Sequence, residues 1–216
     1  NFSQGSLLDG STNNHTLIEI DGAVATGVDR SGNANCALEF DGTTQLQMTN
    51  MSDLQQATTY SFSVWFNPSV DFMGEEQFTR YIVKGRSFQY WWTQPDNFRE
   101  SFAIYQSDYM ILNTFNGNNL IGEHIWGNDY EPKLAGTWRH LVVNFDSTNN
   151  IYECYIDGVQ VYSLNPLTGY NEVFNDIDTI FIGERFYGTI DDMFIFDRIL
   201  TPQEVSQMYN LQPCCN

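Results

Sequence analysis

The sequence predicts an all-β protein that ends in one short helix, and three observations carry that prediction. Thr59–Pro68 alternates strictly: Phe62, Val64 and Phe66 face one way, Ser61, Ser63 and Trp65 the other, and Pro68 ends the run. Thr137–Gly158 alternates twice over. Leu141, Val143 and Phe145 oppose Trp138, His140, Val142 and Asn144; after a turn, Tyr152, Cys154 and Ile156 oppose Glu153, Tyr155 and Asp157. Near the end, Thr201 reads as an N-cap, Pro202 as the first helical residue and Glu204 as the partner that completes a capping box.

Bulk composition agrees with one packed domain over residues 1–216. A chain of 216 residues can enclose one sizeable sandwich core, and 42% hydrophobic with 15% aromatic residues is too apolar for a disordered tail. No apolar run approaches the ~20 residues of a membrane helix, so membrane insertion is not expected. The balance of 27 acidic against 9 basic residues gives a net charge of −18. A chain so charged repels nucleic acid and anionic membranes and tolerates cations. Solubility in a salty medium is the plainest use of that charge.

In chain order, Phe2–Phe40 is rich in Gly, Asn, Ser and Asp and reads as loops with short strands. Gln45–Thr49 is a strand, followed by the strand at Thr59–Pro68. Val70–Gln77 is an acidic loop. Tyr81–Lys84 is a short strand closed by Gly85, and Ser87–Thr93 carries an aromatic cluster. Phe102–Tyr105 and Met110–Phe115 read as paired strands around Gln106–Asp108. Asn116–Lys133 reads as a long strandless loop with Trp126 in its middle, the kind of loop that is functional or inserted. Trp138–Tyr162 is a three-strand meander, turned first by Asp146–Asn150 and then by Asp157-Gly158. Asn165–Asp176 is a polar loop, Thr179–Ile182 a buried strand, and Gly188–Phe196 the closing strand. No internal repeat is visible.

Several of these stretches together resemble a known family. Val28–Ala34 (VDRSGNA), Leu38–Gly42 (LEFDG), the strand Thr59–Pro68, Tyr81–Gly85, Gly136–His140 (GTWRH), Tyr155–Val159 (YIDGV) and Gly188–Val205 (GTIDDMFIFDRILTPQEV) follow one another in the order of a laminin-G-like jelly roll of the concanavalin A-like lectin/glucanase superfamily. The resemblance covers nearly all of residues 2–209. It implies a two-sheet antiparallel β-sandwich with a short C-terminal helix. Ile182-Gly-Glu184 is more distantly similar to pentraxins, where a carboxylate after Gly helps to hold two calcium ions. Here Arg185 and Phe186 follow Glu184 and cut that acidic pattern short.

The fold hosts enzymes and binders alike, so function must come from a site. A glycosidase needs two carboxylates across a cleft, and no run that would set such a pair on one strand face occurs. Glu153 shares a face with Tyr155, but Asp157 belongs to a turn. Asp191 and Asp192 are adjacent, hence expected on opposite faces of the strand. His15, His124 and His140 are scattered, and no nucleophile-elbow sequence occurs. A non-catalytic module is therefore expected, with a polysaccharide-active enzyme as a distant alternative.

The resemblance implies one structural calcium ion (Ca2+) on the convex side, held by Asp191 of the closing strand with Asp9 and Asp41 contributing; carboxylate and carbonyl oxygens are what this ion prefers. The ordinary reading is that Asp9-Gly10 and Asp41-Gly42 form turns. For sugars, Tyr90, Trp92 and Trp126 offer flat rings, and Arg99 and Asn128 are polar neighbours that would read hydroxyls. The expected partners are a glycan or an extracellular matrix or cell-surface protein. The alternative is self-assembly, as a structural subunit or decoration of an extracellular filament or matrix.

Cys36, Cys154, Cys214 and Cys215 show no CxxC spacing, which argues against zinc and suggests an oxidising, extracellular setting. Two pairings are open: Cys36–Cys154 with Cys214–Cys215, or each of Cys36 and Cys154 joined to a tail cysteine. The plain alternative is that Cys36 and Cys154 are small buried residues. Asn1, Asn14 and Asn50 begin Asn-x-Ser/Thr sequons that permit glycosylation.

Overall fold

A computed structural model describes residues 5–50, 58–69, 80–85, 103–106, 110–116, 119–126, 135–146, 148–149, 151–164 and 180–212. The strands are β1 (Thr16–Asp21), β2 (Ala25–Gly27), β3 (Ala37–Asp41), β4 (Gln45–Thr49), β5 (Thr59–Pro68), β6 (Arg80–Gly85) and β7 (Ala103–Gln106). They continue with β8 (Met110–Asn116), β9 (Asn119–Trp126), β10 (Arg139–Asp146), β11 (Ile151–Ile156), β12 (Val159–Leu164), β13 (Ile180–Ile182) and β14 (Tyr187–Phe196). Helix α1 (Pro202–Asn210) follows.

The strands form two antiparallel sheets. The first runs β1-β4-β13-β6-β7-β8-β9 and the second β12-β11-β10-β5-β14-β3-β2. Period-2 alternation decides what lies between them. Phe62, Val64 and Phe66 of β5 and Leu141, Val143 and Phe145 of β10 project inward to meet Leu46, Met48, Ile180 and Ile182 of the first sheet. Tyr60 stacks on Phe145 at 5.2 Å between ring centroids, inside the range in which ring pairs add to simple burial. The meander is as the alternation predicts. Asp157 and Gly158 both take positive φ (51° and 79°), as a tight two-residue turn between β11 and β12 requires. Gly183 closes β13 at φ 79°, and a Cβ there would run into the Phe40 ring.

β5 is buried along nearly its whole length, outward face included. The reason is a thin third layer. Helix α1 lies over the outer face of the second sheet, where Val142, Tyr155, Leu200 and Val205 form a second apolar cluster. The capping box sits where the sequence places it. Thr201 Oγ1 accepts from Glu204 N (3.3 Å), and the Glu204 carboxylate accepts from Thr201 N (2.8 Å). At the sheet, Ser61 Oγ accepts from Leu200 N (2.9 Å) and Asn144 Nδ2 donates to Leu200 O (2.8 Å). The polar outward residues of β5 and β10 therefore satisfy the chain that leads into the helix.

Three expectations need correction. Asn116–Lys133 is not strandless, because β9 pairs antiparallel with β8 from Asn116↔Asn119 to Met110↔Trp126. The two residues between those strands are Gly-Asn in sequence, a hairpin signal masked by the Asn-rich composition around it. Asp191 and Asp192 do not face opposite ways. A bulge between Asp191 and Phe194 in the β14–β5 ladder, with Asp192 at φ 43°, turns both carboxylates to one side. The proposed pairings of cysteines also fail in part. Cys154 is a free thiol buried in the inter-sheet core, and Cys36 is disulfide-bonded to a cysteine other than Cys154.

Candidate functional site

The two outer faces of the sandwich differ in kind. On the second sheet, beneath the helix, the outward side chains mix polar residues with Trp65, Val142 and Tyr155, and all of these are closed off from solvent. Ser63 Oγ lies 2.9 Å from His140 Nε2, and His140 stacks on Trp65 at 4.9 Å. Burial, reinforced by the Arg30 charge, pushes His140 down to about 3, so the ring is neutral at ordinary pH. A Ser–His pair in the open would suggest a nucleophile. Here Ser63 is 0% and His140 1% exposed, and His140 Nδ1 has no hydrogen-bond partner, so neither a substrate nor an orienting carboxylate reaches the pair. The remaining carboxylates of this sheet are engaged one by one. Glu153 accepts from Asn144 Nδ2 and from the Tyr155 hydroxyl, and Asp157 pairs with Arg139 and caps His140 N.

The residues expected to hold calcium are separately occupied. Asp9 accepts from Ser11 N (2.8 Å) and His15 N (3.2 Å), closing its own loop. Asp41 accepts from Thr43 N (2.9 Å) and Thr44 N (3.1 Å) and from both hydroxyls; the Thr43 bonds lead in holding its carboxyl at about 2. Asp191 Oδ1 accepts from Asp192 N (2.8 Å), and its Oδ2 faces Arg30 Nη1 at 3.3 Å. Among the described residues no group of three or more His, Cys, Asp or Glu side chains gathers where a metal ion would fit. These residues do not fit the implied calcium: Asp9 and Asp41 act as turn formers, and the cation beside Asp191 is a guanidinium. Glu184, in the pentraxin-like stretch, accepts from Gln45 Nε2 at 3.0 Å.

On the first sheet, the outward side chains described on β1, β4 and β13 are less closed off from solvent. Pairing places Ile18 opposite Gln47 and Gln47 opposite Phe181, a row across three adjacent strands on the side away from the core, and Lys84 of β6 is next in backbone register. Ile18 is 41% exposed, although its neighbour Leu17 is buried in the core. Gln47 and Phe181 are half-buried, as is Gln45 further along β4. Apolar surface beside amide side chains suits a ligand that offers both CH faces and hydroxyls. Of the rings and polar groups singled out for sugar binding, Tyr90, Trp92, Arg99 and Asn128 lie outside the described residues. Trp126 is the last residue of β9, the edge strand of this same sheet. Ile18, Gln47 and Phe181 were missed as site candidates. Their only signal is alternation in QLQMT and TIFI, which separates two faces without saying which is bare.

Residues 40–206 match a family model described as the concanavalin A-like lectin/glucanases superfamily. No curated protein matches the chain by sequence. Among similar solved structures is domain 4 of AbnA, a GH43 extracellular arabinanase from Geobacillus stearothermophilus, in complex with arabinotriose. It is 18% identical and superposes with a TM-score of 0.67 over 97% of this chain and 96% of its own. The binding domain of botulinum neurotoxin DC superposes with a TM-score of 0.69 in two complexes. With rat synaptotagmin II it is 16% identical, over 95% of this chain and 48% of the other. With SialylT it is 17% identical, over 96% and 50%. The chain thus spans about half the length of the toxin binding domains and nearly the whole of the arabinanase domain. At such identities these likenesses speak for the fold alone.

Proposed function

The chain belongs to the concanavalin A-like lectin/glucanases superfamily, and from that premise we propose that it is a non-catalytic carbohydrate-binding module. The observation that carries this reading is the row Ile18–Gln47–Phe181 on the outer face of the first sheet, in which Ile18 is 41% exposed and Gln47 is half-buried. A half-exposed apolar surface flanked by amides matches a pyranose or furanose ring, which is apolar on its faces and hydroxylated at its rim. The structures of similar fold support the same class, since one is a domain in complex with arabinotriose and another a binding domain in complex with SialylT. The two candidate catalytic geometries, paired carboxylates and a Ser–His nucleophile, are each taken up in structural contacts under the helix, which supports a binding role over catalysis.

The charge narrows the ligand class. At −18 the chain repels sialylated and uronic glycans at long range, so the ligand is a neutral oligosaccharide. The setting we propose is extracellular, a reading supported by the disulfide at Cys36. The test is a glycan array probed with the folded domain. Binding confined to neutral glycans, weakened by Trp126→Ala and by Phe181→Ala, is the expected result. Silence from a protein whose circular dichroism and melting are intact, or binding confined to anionic glycans, would overturn the reading.

A further inference from the structure

Arg30 joins four parts of the fold that are remote in sequence. Its Nη1 donates to Asp192 Oδ2 at 2.7 Å and faces Asp191 Oδ2 at 3.3 Å. Its Nη2 donates to Leu211 O at 3.1 Å, just past the end of α1. Its Cζ lies 4.5 Å from the centroid of the Trp65 ring, within cation–π range, and Trp65 is itself stacked on Tyr209 of the helix at 5.6 Å. The side chains are closed off from water: 8% exposed for Arg30, 2% for Asp191 and 4% for Asp192. The bulge in β14 makes this possible, because only with the extra residue do two consecutive carboxylates turn to one cation. Two acidic groups and a backbone carbonyl are the oxygen donors a hard cation would attract, and the Trp65 π face beside them suits a guanidinium. One difference is chemical: a guanidinium keeps its charge at every working pH and cannot be chelated away.

We propose that Arg30 is a built-in cation, which takes the place of a divalent metal between Asp191 and Asp192 and ties the bulged closing strand to Trp65 and to the end of helix α1, so that this face of the sandwich is metal-independent. One orphan atom bears on the point. Asp192 Oδ1 is buried without a hydrogen-bond partner, so the acidic pair holds an oxygen that the guanidinium does not engage, and removal of Arg30 leaves a buried, unanswered acidic seat.

The experiment is thermal unfolding of the whole chain, wild type and Arg30→Ala, in millimolar CaCl2 and in excess chelator. The wild type is expected to melt at one temperature in both. Arg30→Ala is expected to melt lower by on the order of 10 °C in chelator and to regain part of that loss in calcium. If Arg30→Ala does not fold, Arg30→Gln removes the charge while it keeps most of the stem, and the same response is expected of it. Arg30→Lys, which keeps the charge but loses the fork, should melt lower than wild type and stay indifferent to chelator. A chelator-induced fall in the wild type that Asp191→Asn abolishes would overturn the proposal. So would charge-deleted variants that fold but ignore calcium. A wild-type response that survives Asp191→Asn comes from a different site and leaves the Arg30 assignment supported.

Discussion

The outer faces of the two sheets are built from the same alternating pattern and end in opposite conditions. On the second sheet the outward residues Ser61, Ser63, Trp65, His140 and Asn144 are all buried, because α1 and Arg30 cover them. On the first sheet the outward residues Ile18, Gln47 and Phe181 stay at least partly exposed, and the one helix among the described residues lies on the other sheet. The contrast shows that polarity in an alternating strand marks only the side turned from the core. Whether that side is a structural joint or a binding surface depends on what packs over it, and here the helix decides. Ser, His and Asp under the cover hold the helix in place, whereas an isoleucine left bare among amides is the better candidate for contact with a ligand.

The largest break in that contrast should come from the covered face. Asn144 is fully buried and serves Leu200 through both backbone groups, so Asn144→Ala leaves the strand-to-helix junction with an unmet carbonyl and a small void. The expected loss is ~2–3 kcal/mol, or a fall of about 5–10 °C in melting temperature, read by calorimetry. A loss under ~0.5 kcal/mol would mean that the helix is held by its apolar contacts alone.

A second, smaller effect sharpens the contrast through pH. Burial, with the charge of Asp192 added, raises Asp191 to about 7, while burial lowers His140 to about 3. The signs oppose. Between about pH 4 and 7 the folded state keeps a proton on Asp191 that the unfolded chain releases, so stability falls as pH rises. Between about pH 3 and 6.5 the unfolded chain binds a proton at His140 that the folded state refuses, so stability rises with pH. In the wild type the two slopes offset one another, and melting temperature should change little from pH 4.5 to 6.5. Asp191→Asn removes one slope, and the variant should gain several degrees over the same interval. Parallel profiles for the two proteins would show that Asp191 does not carry the proton.

The covered face was half legible in the sequence. Strict alternation in Thr59–Pro68 and Trp138–Tyr162 and the capping box at Thr201 read directly as β5, β10, β11, β12 and α1. Each is local, and local patterns survive folding. β9 was hidden by composition, since Asn and Gly at its start speak for a loop as loudly as for a hairpin. The Arg30 centre was beyond reach for another reason. Its partners lie 161 and 162 residues away, and the bulge that aligns them leaves no mark on an Asp-Asp pair. For the open face, the sequence offered conspicuous aromatics in Tyr90 and Trp92, and both fall outside the described residues. The row through Gln47 depends on sheet order, β1-β4-β13-β6, which places β13 between strands that precede it by 95 residues or more.

The smallest effect on stability is expected on the open face, and it is the most direct test of the contrast. Gln47 is half-buried on the outer side of β4, paired in register with Ile18 and Phe181. Its backbone belongs to the ladder and its side chain to the surface, so Gln47→Ala removes an amide without opening a cavity. Surface changes of this kind stay within about 0.5 kcal/mol, so the melting temperature should stay within a degree or two of wild type. If the amide reads a sugar hydroxyl, its loss should weaken affinity for the glycan found on the array by about 2- to 10-fold, the worth of one hydrogen bond in water, as measured by titration calorimetry. Unchanged affinity together with an unchanged melting temperature would leave Gln47 idle and move the ligand away from this row, toward the sheet edge where β9 ends at Trp126. A drop in stability of the size expected for Asn144→Ala would remove the distinction itself, because the open face would then be as structural as the covered one.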